Sequence, residues 1–256
     1  MATIHPIPAF SDNYIWLLDN GDGSALVVDP GDAAPVVAAL AEHNLTLAGI
    51  LITHHHFDHV GGLGTLKDEY ACPVYGPANG AIQGIDHSLG DGDELRIGAY
   101  NFQVITVPGH TLDHIAYFQR EPEALLFCGD TLFAGGCGRI FEGTPEMMHQ
   151  SLQRLAALPE ETAVYCAHEY TLANLAFARA ADPANSALQQ RELDAQALRA
   201  RDTPTVPSTI ALEQATNPFL RSALPALREA LPQGNSLTAD DSVGIFAALR
   251  AWKDEF

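Results

Sequence analysis

The chain has 256 residues, 47% of them hydrophobic, and a net charge of −19 from 13 Lys plus Arg against 32 Asp plus Glu. That balance argues against a nucleic-acid surface, which needs a basic stripe to displace counterions. No apolar run reaches a membrane span, and the start Met1-Ala2-Thr3-Ile4-His5-Pro6 lacks the basic and apolar segments of an export signal, so a cytoplasmic protein without membrane contact is expected.

In chain order, residues 4–7, 14–18 and 25–28 read as strands, the last stopped by Asp29-Pro30-Gly31. A helix over 33–43 follows, then an apolar strand over 47–52. Strand, helix and strand in alternation predict an α/β layered sheet. Further strands are predicted at 74–75, 101–107, 114–118 and 124–128. Gly143-Thr144-Pro145 opens a helix to about 158, with Thr144 as cap and Pro145 at the first helical position. A short strand at 163–166 closes this part.

After His168 the texture turns Ala/Leu-rich with helical spacing over 171–181 and 187–201, broken at Asp182-Pro183. Residues 202–207 read as a loop, and the tail from Ser242 to Phe256 as a last helix. The expected organisation is an α/β domain over 1–168 and a smaller helical domain over 169–256. The four cysteines, Cys72, Cys128, Cys137 and Cys166, show no C-x-x-C spacing. They suit reduced thiols, with Cys128 and Cys166 in the core.

The chemistry concentrates just past the 47–52 strand, in Thr53-His54-His55-His56-Phe57-Asp58-His59. Imidazole nitrogen and carboxylate oxygen suit borderline divalent cations. Three later strand ends supply more donors: His110 in Pro108-Gly109-His110-Thr111, Asp130 in Cys128-Gly129-Asp130-Thr131, and His168 in Cys166-Ala167-His168-Glu169. Strand ends are where a layered α/β fold gathers side chains from distant positions. Five histidines and two aspartates divide into two ligand shells sharing one bridging carboxylate. Alternate side chains diverge in a turn, so His54 and His56 can converge while His55 points away. His114 and Asp29 are candidates to orient ligands by hydrogen bonds.

T-H-x-H-x-D-H with later single His, Asp and His resembles the metallo-β-lactamase superfamily, which implies an αββα sandwich. Gly129-Asp130-Thr131-Leu132-Phe133, Gly136-Cys137-Gly138-Arg139, Phe141-Glu142-Gly143-Thr144, Cys166-Ala167-His168-Glu169-Tyr170-Thr171, Asn217-Pro218-Phe219-Leu220-Arg221 and the closing Arg250-Ala251-Trp252-Lys253-Asp254-Glu255-Phe256 resemble the glyoxalase II family within it. The resemblance spans nearly the whole chain, including the helical part. It implies that His54, His56 and His110 bind one metal, that Asp58, His59 and His168 bind the other, and that Asp130 bridges. Two divalent ions per chain are expected, zinc first, with iron or manganese as alternatives.

Two such ions can share a hydroxide, and Asp58 is the candidate to accept its proton during attack on a thioester carbonyl. The resemblance names the substrate as S-D-lactoylglutathione, giving D-lactate and glutathione, the second step of methylglyoxal detoxification. Arg250 and Lys253 lie three apart on one helical face and, with Arg139 and Tyr170, match the family's clamp on the glycine carboxylate. Animal members carry Lys and Tyr where this chain has Arg139 and Phe141, so looser glutathione recognition is expected. The alternative is a glutathione persulfide dioxygenase on the same fold, with a single iron and fewer ligands. A nuclease is disfavoured by the charge, a β-lactamase by the start of the chain, and a non-catalytic module by the intact donor set. The acidic surface points to a monomer acting on a small molecule.

Overall fold

A computed structural model describes residues 3–231, 237–238 and 240–256. Met1 and Ala2, read above as part of a start without an export signal, lie outside them. The chain divides into two units. One runs to Thr106 and resumes over Asp113–Gly129; the other takes Val107–Leu112 and the chain from Asp130 onward.

The first unit begins with β1 (Thr3–Ala9), β2 (Asn13–Asp19), β3 (Ser24–Val28), α1 (Ala33–His43) and β4 (Thr46–Leu51). Next come α2 (Phe57–Val60), α3 (Leu63–Tyr70), β5 (Val74–Pro77) and β6 (His87–Leu89). Its six strands form one sheet in chain order, antiparallel through β1, β2 and β3 and parallel from β3 to β6. Then β7 (Glu94–Ile97), β8 (Tyr100–Thr106), β9 (Ile115–Gln119) and β10 (Leu125–Gly129) run as an antiparallel meander.

Strand side chains alternate between faces, so the burial pattern identifies the layers. Ile15, Leu17, Ala25, Val27, Ile50, Ile52 and Val74 pack with Val36 and Leu40 of α1 and Leu63 and Leu66 of α3. Trp16, Leu18, Leu26 and Val28, on the opposite face, are buried as well. A sheet covered on both sides carries near-continuous apolar runs, and β2 and β3 do. Tyr117 of β9 donates its hydroxyl to Ile52 O at 2.8 Å, tying the meander to the end of β4.

The second unit contains β11 (Leu132–Phe133), β12 (Gly136–Cys137), α4 (Pro145–Ala156), β13 (Ala163–Cys166), α5 (Thr171–Ala181) and α6 (Ser186–Arg199). After these come β14 (Ser208–Thr209), α7 (Ile210–Thr216), α8 (Pro225–Ala230) and α9 (Ser242–Glu255). Thr144 caps α4 by accepting from Met147 N at 3.3 Å, and Pro145 stands at its start as expected. Asn185 caps α6, accepting from Leu188 N at 3.1 Å. Leu175 and Ala178 of α5 meet Leu188 and Ala195 of α6. Phe177, Phe219, Phe246 and Trp252 form an aromatic cluster that seats α9.

The expected strands and helices are found with ends moved by one or two residues. Absent from the expectation are α2, α3, α7 and α8, and β6, β7, β11, β12 and β14. No described helix is long and apolar enough to cross a membrane.

Candidate metal centre

In the first unit the donors leave β4 in extended backbone, and the chain enters α2 at Phe57, with Asp58 and His59 in its single turn. What holds this segment is Asp29, just past β3. Its carboxylate accepts from Thr53 N at 2.7 Å, from Thr53 Oγ1 at 2.7 Å and from His59 Nδ1 at 3.0 Å. Asp29 reaches this position with φ 52, a left-handed conformation that Asp tolerates better than most side chains. Gly31 beside it is obligatory, because a Cβ there would lie 1.9 Å from Asp58 O.

These bonds decide which nitrogen each ring presents. A carboxylate only accepts, so His59 donates from Nδ1 and keeps its lone pair on Nε2. Thr53 spends its one hydroxyl hydrogen on Asp29, so it accepts from His54 Nδ1 at 3.0 Å, and His54 too presents Nε2. His54 Nε2 lies 3.1 Å from His56 Nδ1, and His59 Nε2 lies 3.5 Å from Asp58 Oδ2. His54 is sandwiched further by His114, stacked at 4.5 Å and 14°. His55 turns to another set of partners: its Nδ1 is 2.9 Å from Asp113 Oδ1, and Asn79 donates to Asp113 Oδ2 at 2.7 Å.

In the second unit Asp130 stands between two imidazoles. Its Oδ2 is 3.3 Å from His110 Nε2 and its Oδ1 is 3.3 Å from His168 Nε2. His110 donates from Nδ1 to Arg139 O at 2.7 Å, so Nε2 again carries the lone pair. His168 stacks on Tyr170 at 4.7 Å and 6°, and Phe133 meets its edge at 5.7 Å. Each carboxylate oxygen thus faces one ring.

These separations test whether a metal fits. Ligands about 2.0–2.1 Å from a tetrahedral ion stand about 3.3 Å apart. The four donor pairs, at 3.1, 3.5, 3.3 and 3.3 Å, bracket that value. In three of them an imidazole nitrogen faces a carboxylate oxygen. For His59 and His110 the facing nitrogen carries a lone pair, and a cation between the two atoms relieves that repulsion. The residues present fit divalent metal.

The four clamp candidates all fall in the second unit. Arg139 Nε and Arg250 Nη2 both donate to Asp254 Oδ1, at 3.1 and 3.0 Å. Arg250 also donates from Nη1 to Cys137 O at 3.0 Å and lies over the Phe219 ring at 5.2 Å. Much of this guanidinium therefore serves the fold, although its buried Nε meets no acceptor among the described residues. Lys253 donates to Ala173 O at 3.4 Å, and burial, with Arg250 nearby, lowers its pKa. Phe141 is exposed and turns its ring toward that of His110 at 5.3 Å.

Sequence reasoning missed Asn13, Thr53 and Asp254. Asn13 donates to Asp58 Oδ2 at 2.9 Å across 45 residues, and nothing in its own turn signals that. Asp254 follows Arg250 at i,i+4, a spacing that could have flagged the pair.

Residues 9–168 match the model of the metallo-beta-lactamase superfamily, and residues 169–256 match that of the hydroxyacylglutathione hydrolase C-terminus. A relative from Chromohalobacter salexigens, named hydroxyacylglutathione hydrolase, is 53% identical over 257 residues, covering 100% of both chains. The chain belongs to the hydroxyacylglutathione hydrolase family. Its fold is a metallo-beta-lactamase domain followed by the helical C-terminal domain of that family. Among solved structures it is similar to ETHE1 from Myxococcus xanthus, with TM-score 0.66, 27% identity and coverage of 99% of this chain and 98% of that one. It is also similar to TTHA1623 in a di-iron-bound form, with TM-score 0.61, 28% identity and coverage of 84% and 100%. Family membership and the donors in each unit support a dinuclear divalent-metal site.

Proposed function

We propose that this member of the hydroxyacylglutathione hydrolase family converts S-D-lactoylglutathione, and related S-2-hydroxyacylglutathiones, with water to D-lactate and glutathione. The observation that carries the reading is the full-length match at 53% identity to a hydroxyacylglutathione hydrolase, helical C-terminal domain included. His54, His56 and His110 would hold one ion, Asp58, His59 and His168 the other, and Asp130 would bridge. Zinc is the first candidate, with iron or manganese as alternatives. Bound metal would polarise the thioester carbonyl and lower the pKa of water to about 7.

The chain's own groups do the rest. Water attacks the carbonyl carbon as the Asp58 carboxylate takes its proton, with Asn13 holding Oδ2 of that carboxylate. The C–S bond then breaks. A thiol of pKa about 8.5 leaves readily as thiolate, so a strong general acid is unnecessary. Arg139, Arg250, Lys253 and Tyr170 would receive the glycine carboxylate of glutathione. With four buried free cysteines, the protein suits a reducing cytoplasm. It is expected to act there as a monomer on a small molecule.

The test is thioester hydrolysis of S-D-lactoylglutathione followed by ultraviolet absorbance, with elemental analysis of the same sample. Turnover with two equivalents of metal, lost on chelation and restored by zinc, iron or manganese, supports the reading. Full turnover after exhaustive chelation overturns it. The rival persulfide dioxygenase demands oxygen uptake with glutathione persulfide and is set aside on the full-length match.

A further inference from the structure

A densely bonded polar cluster of the second unit lies beneath the β11–β12 hairpin. Glu213 of α7 is fully buried, and Arg191 of α6 and the Ser208 hydroxyl both donate to its Oε1. Arg191 reaches Thr216 Oγ1 as well, at 2.6 Å. The other oxygen faces the hairpin: Oε2 accepts from Gly135 N at 2.8 Å and from Asn217 Nδ2 at 3.0 Å. Asn217 Nδ2 also donates to Gly136 O at 2.8 Å and lies 3.3 Å from Phe133 O. Three polar backbone groups of the hairpin, Gly135 N, Gly136 O and Phe133 O, thus meet two side chains of one helical segment, while Asn174 of α5 donates to Ala134 O at 3.2 Å.

Burying a carboxylate is costly unless it is paired and hydrogen-bonded throughout, and this one is both. Such an arrangement is far more than a two-residue hairpin needs to stay folded. Its position explains the expense. The hairpin starts two residues after Asp130, and its Phe133 ring meets His168 at 5.7 Å and Tyr170 at 5.3 Å, both nearly perpendicular. Just beyond it, a Cβ at Gly138 would lie 2.0 Å from Asp130 O.

We propose that Glu213 and Asn217 are positioning residues: they fix the hairpin, and through it the two oxygens of Asp130 and the Phe133–His168–Tyr170 stack. The proposal rests on the function given above and assigns the helical domain a second task besides receiving glutathione. Neither residue touches substrate or metal; both act through Asp130 and His168.

The test compares two charge-neutral double variants. Replacing a buried ion pair with apolar groups of similar volume is often neutral in stability. Arg191→Met with Glu213→Gln keeps an oxygen for Gly135 N and Asn217 and lets the new amide donate to Ser208. Arg191→Met with Glu213→Leu removes both acceptors. The first should keep kcat, KM and zinc affinity, measured by chelator competition, within about 3-fold of wild type. The second should lose about 10-fold or more in both kcat and zinc affinity, with KM unchanged, both variants being assayed well below the lower of their two melting temperatures, a size typical of lost ligand support. Asn217→Ala, which leaves the ion pair intact, is measured beside them and should share the loss; it decides the matter if the leucine variant does not fold. Equal kcat and zinc affinity in the glutamine and leucine variants, or wild-type values in Asn217→Ala, would overturn the proposal. A wild-type protein unable to hydrolyse the thioester would sink the function, while the difference in zinc affinity between variants still decides the positioning role.

Discussion

Asp29 shows how one carboxylate sets the chemistry of its neighbours. It accepts from Thr53 and from His59 Nδ1, and so dictates which nitrogen of His59 carries the lone pair. Asp29→Asn preserves size and tolerance of positive φ but brings an N–H toward His59. Nδ1 must then accept, and the proton moves to Nε2. Metal affinity should fall about 10–100-fold with little change in melting temperature, measured by chelator competition beside a thermal scan. Unchanged affinity would show that Asp29 does not set the tautomer. Lys253 offers a second test. Its pKa is lowered from the ordinary 10.5, first by burial and then by Arg250. The ammonium is lost as pH rises through a value below 10.5. KM for the glutathione thioester should climb over that range, and Lys253→Arg, which stays charged, should flatten the climb. A KM profile identical in both proteins removes Lys253 from the clamp. The residue types of the metal site were legible because four imidazoles and a carboxylate in seven positions have little structural use. Their partners were not: Asn13 is an unremarkable turn residue until the fold brings it to Asp58.

Elements that carried end signals were read from the chain. The helix α1 has Asp32 accepting from Ala34 N at 3.0 Å and a left-handed Asn44 at its close, and α4 has Thr144 and Pro145. Thr144→Ala should cost about 1 kcal/mol of stability, read by denaturant melts, with kcat unaffected. The strands β11, β12 and β14 have two residues each, too few for an alternation to register. The short α8 did carry a usable sign in Pro225 at its first turn. Where elements approach most closely, glycine is required. Gly138 sits so near Asp130 O that any Cβ must move it, and its Cβ would also lie 3.1 Å from His110 Nδ1. Gly138→Ala should therefore fold yet lose about 100-fold in kcat, the order expected for a misplacement near 1 Å. Near-normal kcat would show that the backbone there yields cheaply.

At the scale of the whole molecule, the cysteine pattern is a check on burial. All four thiols are free and buried, and burial pushes Cys166 up to about 12. The native protein should react slowly with a thiol reagent at neutral pH and release all four thiols on denaturation. Fast labelling of the native protein would contradict the burial described. The sequence by itself determined the α/β class, the acidic character and, through the resemblance its motifs carry, the family, because these depend on residue type and local order. Only the tertiary structure decided which nitrogen His54, His59 and His110 leave with a lone pair, and what holds each ring there. Those choices are made by hydrogen bonds between residues far apart in the chain, 45 positions for Asn13 and Asp58 and 78 for Gly135 and Glu213. No local pattern encodes such pairs, since each exists only once the fold has brought its two groups together.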